Sequence, residues 1–249
     1  MTAGVAFAVE ITFEIPPIPI SVDLAGQHIV LTVSGLVSGS PAPPGPADQT
    51  FKLKLLADLG DFQSHLTPIL QTELNKSDRC GERLSIRNAT LTPASPAGIL
   101  AVQLHFEKWI CIKALGQDSV KKLVGGDATV RVKLTPRVES AEPDKTGQTV
   151  RLDAEIGTID ADGPLGELLR SGTVGPALRE KIREPLFAAI QKSIQLDGVI
   201  PAEAQRFVTI QTIAFGDRGS GRLELDFAGR IQLPGAQVAS VLEQLGNRK

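Results

Sequence analysis

Cys80 and Cys111, the two cysteines of the chain, could form a disulfide bond. They stand at the two ends of a predicted hairpin. If Leu84 pairs with Phe106 in that hairpin, the two cysteines are one residue away from facing each other. Gly81, a flexible residue next to Cys80, would allow that adjustment. We therefore predict a disulfide, the alternatives being two reduced buried thiols or a weak metal pair. A disulfide would place the protein in an oxidising compartment.

His28, His65 and His105 are the three histidines, and none has the spacing to acidic residues that a zinc site or a catalytic triad requires. Four carboxylates precede a predicted helix, but their spacing departs from that of a calcium-binding loop and predicts a solvated acidic turn. These are Asp153, Glu155, Asp160 and Asp162. The chain also lacks a P-loop, a dinucleotide fingerprint and a GxSxG elbow. We therefore predict no metal site, no cofactor and no catalytic residues, and a protein that is not an enzyme.

The composition argues against several classes of partner. The 26 lysines and arginines are balanced by 28 aspartates and glutamates, whereas a nucleic-acid binder needs a basic excess. Aromatic residues make up 4% of the chain and there is no tyrosine, so platforms for stacking bases or sugars are poorly supplied. No stretch approaches the roughly 18 apolar residues of a membrane span. We predict a protein that binds no nucleic acid and has no transmembrane segment.

Alternating apolar residues predict strands along most of the chain. The first strand covers residues 5–15, and we expect Pro16, Pro17 and Pro19 to end it, because proline has no N–H to donate to a sheet. Later strands are predicted around residues 29–33, 51–55, 83–92, 99–112, 130–134 and 150–156, with a final hairpin over 207–233. The run GDRGSG predicts the turn of that last hairpin.

Apolar residues spaced by four predict a helix from Asp61, its N-cap, to about residue 76. Pro68 lies inside this segment and predicts either a kink or a helix that begins at Thr67. A second helical region is predicted over about 164–196, with an interruption near 172–176. A short helix over about 235–245 is predicted to end the chain.

The second helical region carries apolar residues at every fourth position. They are Val174, Leu178, Ile182, Leu186, Ile190 and Ile194. Because a helix turns about 100° per residue, this stripe would sweep roughly 200° around a single helix. We expect such a helix to be wrapped by a curved sheet, an ordinary buried core helix being the alternative.

The two halves of the chain align with one another, and their last hairpins align best. In both hairpins the apolar residues switch from even to odd positions midway, which predicts a β-bulge at equivalent places. The matched residues are Leu84, Ile86, Ala89 and Leu91 in the first half and Val208, Ile210, Ile213 and Phe215 in the second. Chance alignment of amphipathic segments is the alternative to duplication.

We therefore predict an α+β fold made of two β-β-α-β-β repeats, over about 28–113 and 129–233. The repeats would form long helices wrapped by a highly curved antiparallel sheet. The whole chain, 1–249, would be a single body with one continuous apolar interior, followed at its end by the short helix.

The predicted hairpin begins with RCGER at residues 79–83 and ends with EKWIC at 107–111. In this respect the chain is similar to bacterial envelope proteins whose hairpin has an Arg-Cys-Gly-x-Arg start and a Glu-x-Trp-x-Cys end. In its predicted architecture, over most of its length, it resembles the tubular lipid-binding superfamily. The domains of that superfamily wrap a long helix in a curved antiparallel sheet around an apolar channel.

The resemblance implies binding or transfer of a lipid or similar apolar ligand in the bacterial cell envelope, without catalysis. Our assignment of strand and helix faces predicts the residues that would line the interior. They are Leu84, Ile86, Leu104, Phe106, Leu178, Ile182, Leu186, Ile190, Val208, Ile210, Leu225 and Phe227. The alternative is a structural or assembly protein of the envelope, with a solid core, that binds a protein partner.

The expected location is extracytoplasmic, in the periplasm, and it rests on the predicted disulfide. The first residues alternate as a strand and lack the basic and apolar regions of a signal peptide. We therefore expect any such leader to be removed or absent from this sequence.

Overall fold

The computed structural model describes residues 11–39, 48–75, 80–114, 117–140, 148–193 and 207–235. Within these ranges the chain forms nine strands and three helices. The strands are β1 Ile11–Leu24, β2 Gln27–Gly39, β3 Gln49–Asp58, β4 Gly81–Ala94, β5 Ala97–Ala114, β6 Gln117–Ser140, β7 Gln148–Ala161, β8 Val208–Asp217 and β9 Leu223–Leu233. The helices are α1 Gly60–Leu74, α2 Gly163–Arg170 and α3 Gly175–Ser193.

The strands form two antiparallel sheets. Sheet A has five strands in the order β1-β2-β3-β9-β8, and sheet B has four in the order β4-β5-β6-β7. The sheets contact each other chiefly where β8 lies against β4 and β6. Helix α1 packs on β2, β4 and α3, and α3 packs on β7. The inner faces of both sheets and the buried faces of the helices therefore share one apolar core.

The predicted fold class is wrong. The protein is mostly β, its three helices are short, and they cover two separate sheets rather than being wrapped by one. The apolar stripe of the second helical region does not encircle a helix. Val174 precedes α3 and is 50% exposed, and Phe187 is 37% exposed, whereas Ile182, Leu186 and Ile190 are fully buried. Within the described part of the chain, α3 packs against α1, α2 and β7 and leaves Phe187 exposed, so the helix is not enclosed by a sheet.

The order of elements after β1 is strand, strand, helix, strand, strand, and then the same with two helices in place of one. Each half contributes two strands to each sheet. The pairing between halves differs, since β3 lies beside β9 in sheet A but β5 lies beside β6 in sheet B. Duplication therefore remains a prediction, and the predicted helix over 235–245 lies outside the described residues apart from Gly235.

Both predicted β-bulges are confirmed. The register between β4 and β5 shifts between Ile86 and Asn88, and that between β8 and β9 shifts between Ile210 and Thr212. The side chains of Ile86 and Ile210 are both buried. Each bulge carries the apolar side chains of its strand from one parity to the other while keeping them on the core face.

The prediction for the first strand is wrong at its end. Strand β1 continues through Pro16, Pro17 and Pro19 to Leu24, with a register shift against β2 between Ile15 and Ile18. β1 is the edge strand of sheet A. Prolines are compatible with an edge strand and a bulge because no ladder hydrogen bond is needed on the outer side.

Helix α1 covers the outer edge of β4 with a row of polar side chains four residues apart. Gln63 Nε2 donates to the Leu91 carbonyl at 2.7 Å, and Thr67 Oγ1 accepts from the Ala89 N–H at 2.9 Å. At the third position of the row, Gln71 Nε2 donates to the Ile86 carbonyl of β4 at 3.0 Å. The side chains take the place of a neighbouring strand and protect an edge that would otherwise be free to pair.

The helix boundaries agree with the sequence in outline. Helix α1 contains Pro68 in its interior rather than starting at Thr67, and its N-cap is Leu59, so the prediction of Asp61 as the N-cap is wrong. The predicted interruption near 172–176 is confirmed by the gap between α2 and α3.

Candidate functional site

The predicted disulfide is confirmed. Cys80 and Cys111 are bonded, with 5.8 Å between their Cα atoms. The register beside the disulfide is the one that the sequence predicts. Leu84 pairs with Phe106, and Ile86 pairs with Leu104. The bond joins the segment before β4 to a part of β5 that pairs with β6 beyond the end of β4.

The twelve predicted lining residues come together in one core. Ten of them are buried, at 7% exposure or less, and belong to the central cluster: Leu84, Ile86, Leu104, Phe106, Ile182, Leu186, Ile190, Ile210, Leu225 and Phe227. Leu178 and Val208 are partly buried and pack against it. Their role in binding a ligand stays a prediction, because mutual packing of these side chains accounts for their burial.

A groove of about 1110 Å³ crosses sheet A. It is lined by residues 14–17 of β1, 34–36 of β2, 54–56 of β3 and 226–228 of β9, and by Thr212 and Ala214 of β8. Alternation along β3 buries Leu53 and Ala57 in the core and leaves Leu56 43% exposed on the opposite face. We call this cavity the sheet A groove. Phe227 is the one predicted lining residue that it contacts.

Bulges and a close strand approach shape this groove. β1 is bulged beside it between Ile15 and Ile18, and β8 between Ile210 and Thr212. Between these edges, a Cβ at Gly35 would lie 2.4 Å from the carbonyl oxygen of Lys54. That position therefore requires glycine, which lets β2 approach β3 closely.

The groove combines apolar side chains with a few charges. Glu14, Lys54 and Asp226 line it together with Leu36 and Leu56. Burial raises the pKa of the Asp226 carboxyl above its ordinary value. Burial, and then the neighbouring charge of Asp226, also raise the pKa of Glu224, two residues away on the same face of β9. Partial burial therefore disfavours the charged form of the Asp226 carboxyl in the groove.

A second polar cluster lies on the outer face of sheet B. His105 Nδ1 is 2.6 Å from Asp127 Oδ1, and His105 Nε2 is 3.3 Å from Glu107 Oε1. Glu107 also accepts hydrogen bonds from Lys122 and from the indole N–H of Trp109. These donors, Lys122 first, lower the pKa of Glu107 to about 2. Sequence reasoning missed the cluster because its residues come from separate strands and share no spacing.

This cluster does not have the geometry of a nucleophilic site. Ser85 pairs with His105 across β4 and β5, and His105 pairs with Asp127 across β5 and β6. A catalytic serine would need the distal ring nitrogen of the histidine. That nitrogen faces Glu107 instead. Arg87 of β4 also lies 3.1 Å from Asp127, so charged contacts link β4, β5 and β6.

The acidic residues before the helical region are exposed, but they do not form a turn, and that part of the prediction is wrong. Three of them lie on β7 and form ion pairs with basic residues of β6. The pairs are Asp153 with Arg137 at 3.1 Å, Glu155 with Lys133 at 3.8 Å and Asp160 with Arg131 at 2.9 Å. Among the described residues, no three His, Cys, Asp or Glu side chains group in a way that could hold a metal ion.

His28 and His65 lie apart from this cluster. His28 contacts Asp23 at 3.0 Å, and His65 contacts Asp61 at 3.4 Å. In the part of the chain that the structure describes, no helix combines the length and apolarity needed to cross a membrane. Comparison of the chain with protein-family models, with curated proteins and with solved structures gives no match.

Proposed function

We propose that this protein is a non-enzymatic binding or transfer protein for a lipid or a similar elongated apolar molecule. The sheet A groove is the observation that carries the proposal. Its volume, about 1110 Å³, is slightly above the roughly 300–1,000 Å³ typical of ligand sites. We propose the outer face of sheet A, rather than the interior, as the binding site.

The shape of the groove suits an elongated ligand. It crosses all five strands of sheet A, and strands about 4.8 Å apart give it a length of about 19 Å. Its lining includes Leu36 and Leu56, with small side chains at Ala214 and Ala228. Covering an exposed leucine contributes about 25 cal/mol for each Å² of apolar surface removed from water. An acyl chain laid across the strands would cover these side chains in succession.

The disulfide supports an extracytoplasmic setting for this function. Disulfides persist in secreted and periplasmic proteins and are rare in the reducing cytosol. We propose the bacterial periplasm, where a carrier of apolar molecules would work in an aqueous space between membranes.

A structural or assembly role is the second candidate, and one observation favours it. The predicted lining residues are packed into a single cluster with the buried faces of α1 and α3. In that case the described part of β1, which pairs with β2 on one side, would be the contact edge for a protein partner.

Native mass spectrometry after gentle purification from a lipid-containing host separates the two candidates. The lipid proposal predicts an additional mass on the folded protein that organic extraction removes. Thermal denaturation of the extracted protein with added lipids is the companion measurement, with a higher melting temperature expected. A bare mass together with no protection by lipids would leave the assembly role.

A further inference from the structure

We propose that a second cavity, between the end of β7 and the α2–α3 pair, is a binding site for a phosphate group. The cavity has a volume of about 590 Å³ and is lined by Arg170, Arg179 and Arg183. We call it the arginine cleft. It shares no lining residue with the sheet A groove, and the proposal does not rest on lipid binding there.

The fold brings the three arginines together from two helices. Arg170 is the last residue of α2, and Arg179 and Arg183 lie one turn apart on α3. Residues 157–161 of β7 and Asp162, which precedes α2, also line the cleft. Three guanidinium groups held around one cavity repel each other, and a bound anion would relieve that repulsion.

The charges around the cleft leave it positive. Arg183 pairs with Glu180 at 3.0 Å, whereas Arg179 donates to the main-chain carbonyl of Leu169 at 2.6 Å and keeps its full charge. Among the described residues, Arg170 forms no ion pair with a carboxylate. Two acids also line the cleft, Asp160 and Asp162. Asp160 is already paired with Arg131 of β6, which lies outside the cleft.

Guanidinium groups select the chemistry of the ligand. Arginine presents a planar fork of N–H donors that matches the oxygens of phosphate and forms two parallel hydrogen bonds with it. The cleft is larger than a free phosphate ion needs, so it can hold a phosphate that is part of a larger molecule. The shared chemistry is a phosphate monoester, and its source is either a soluble compound or the headgroup of an anionic lipid.

The test uses the full chain and the double variant Arg170→Gln/Arg183→Gln, which keeps Arg179 because that side chain also holds the end of α2. Isothermal titration with inorganic phosphate forms one arm, and co-sedimentation with vesicles containing phosphatidic acid forms the other, both at constant ionic strength. Arg230→Gln is the matched control, since Arg230 is an exposed arginine on β9 in sheet A. Circular dichroism checks that each variant is folded, and Arg170→Gln alone replaces the double variant if that one is not.

We expect saturable binding in at least one arm, unchanged in Arg230→Gln and at least tenfold weaker in the double variant. Binding of inorganic phosphate but not of vesicles would identify a soluble ligand. Binding of the vesicles would identify a lipid headgroup. Equal affinity in the wild-type protein and in the folded arginine variants would overturn the proposal. So would the absence of saturable binding in both arms.

Discussion

The side chain of Gln148 binds both main-chain polar groups of Ile210. Its Nε2 donates to the Ile210 carbonyl at 3.0 Å, and its Oε1 accepts from the Ile210 N–H at 2.6 Å. Gln148 begins β7 in sheet B, whereas Ile210 stands at the bulge of β8, an edge strand of sheet A. The equivalent bulged residue, Ile86, is bound in the same way by Asn75 and Gln71. Amide side chains therefore satisfy the main chain at both bulges.

Replacing Gln148 with leucine should destabilise the protein. The change leaves the N–H and the carbonyl of Ile210 without these partners, and each unsatisfied buried group costs about 1–3 kcal/mol. We expect a loss of about 2 kcal/mol or more in the free energy of unfolding, measured by urea denaturation. Gln103→Leu, at an exposed position on β5, is the control and should change stability little. If both changes lowered the free energy of unfolding by the same small amount, the hydrogen bonds of the Gln148 amide would not contribute to stability.

Removing the disulfide should also cost stability. The bonded cysteines are 31 residues apart, and closing a loop of that size stabilises by about 3–4 kcal/mol in the chain-entropy description. Cys80→Ser/Cys111→Ser should unfold at a correspondingly lower urea concentration. Thiol titration of the unfolded wild-type protein should detect thiols only after reduction. Two free thiols before reduction would remove the argument for an extracytoplasmic location.

Glu107 should contribute to stability in a defined range of pH. Its pKa is lowered from 4.5 to about 2 by Lys122 and Trp109, so its contribution is present above pH 4.5 and is lost as the pH falls toward 2. Glu107→Gln should therefore flatten the loss of stability between pH 5 and pH 2, and cost about 1 kcal/mol at pH 7. Urea denaturation across this range measures both. Glu155→Gln, whose side chain is 79% exposed, should keep the wild-type pH dependence.

Asp226 should have the opposite effect. Burial raises its pKa above 3.8, so the carboxyl binds its proton more tightly in the folded state than in the unfolded chain. Its contribution to stability is present at low pH and is lost as the pH rises through the raised pKa. Asp226→Asn should therefore raise the melting temperature at pH 7 and also strengthen binding of an uncharged apolar ligand in the groove. Asp23→Asn, with a side chain 81% exposed, is the control. A lower melting temperature for Asp226→Asn would contradict the argument that partial burial of the charged carboxyl costs stability.

Local features of this fold could be predicted from the sequence because they depend on alternation along single strands. The switch of parity around Ile86 and around Ile210 indicated both bulges, and the pairing of Leu84 with Phe106 indicated the disulfide. These features are set by residues close together in one hairpin, where a shift of one position turns every side chain to the other face.

Long-range pairing could not be predicted in the same way. The neighbours β3 and β9 are separated by most of the chain, and no local pattern says which strands lie side by side. The wrapped helix was wrong because apolar spacing cannot show how many sides of α3 have neighbours. The groove was missed because its lining mixes Thr212, Ala214 and Asp226 with leucines on an outer face that carries no apolar periodicity.

Binding of a fluorescent monoacylglycerol to the delipidated protein tests the central proposal most directly. Leu56→Asn changes an exposed leucine in the groove, and Val30→Asn changes an exposed valine on β2 that does not line it. We predict that the wild-type protein and Val30→Asn bind with the same Kd, and that Leu56→Asn binds at least tenfold more weakly. Unchanged binding by a folded Leu56→Asn variant, or no binding by the wild-type protein, would contradict the proposal that the sheet A groove holds an apolar ligand.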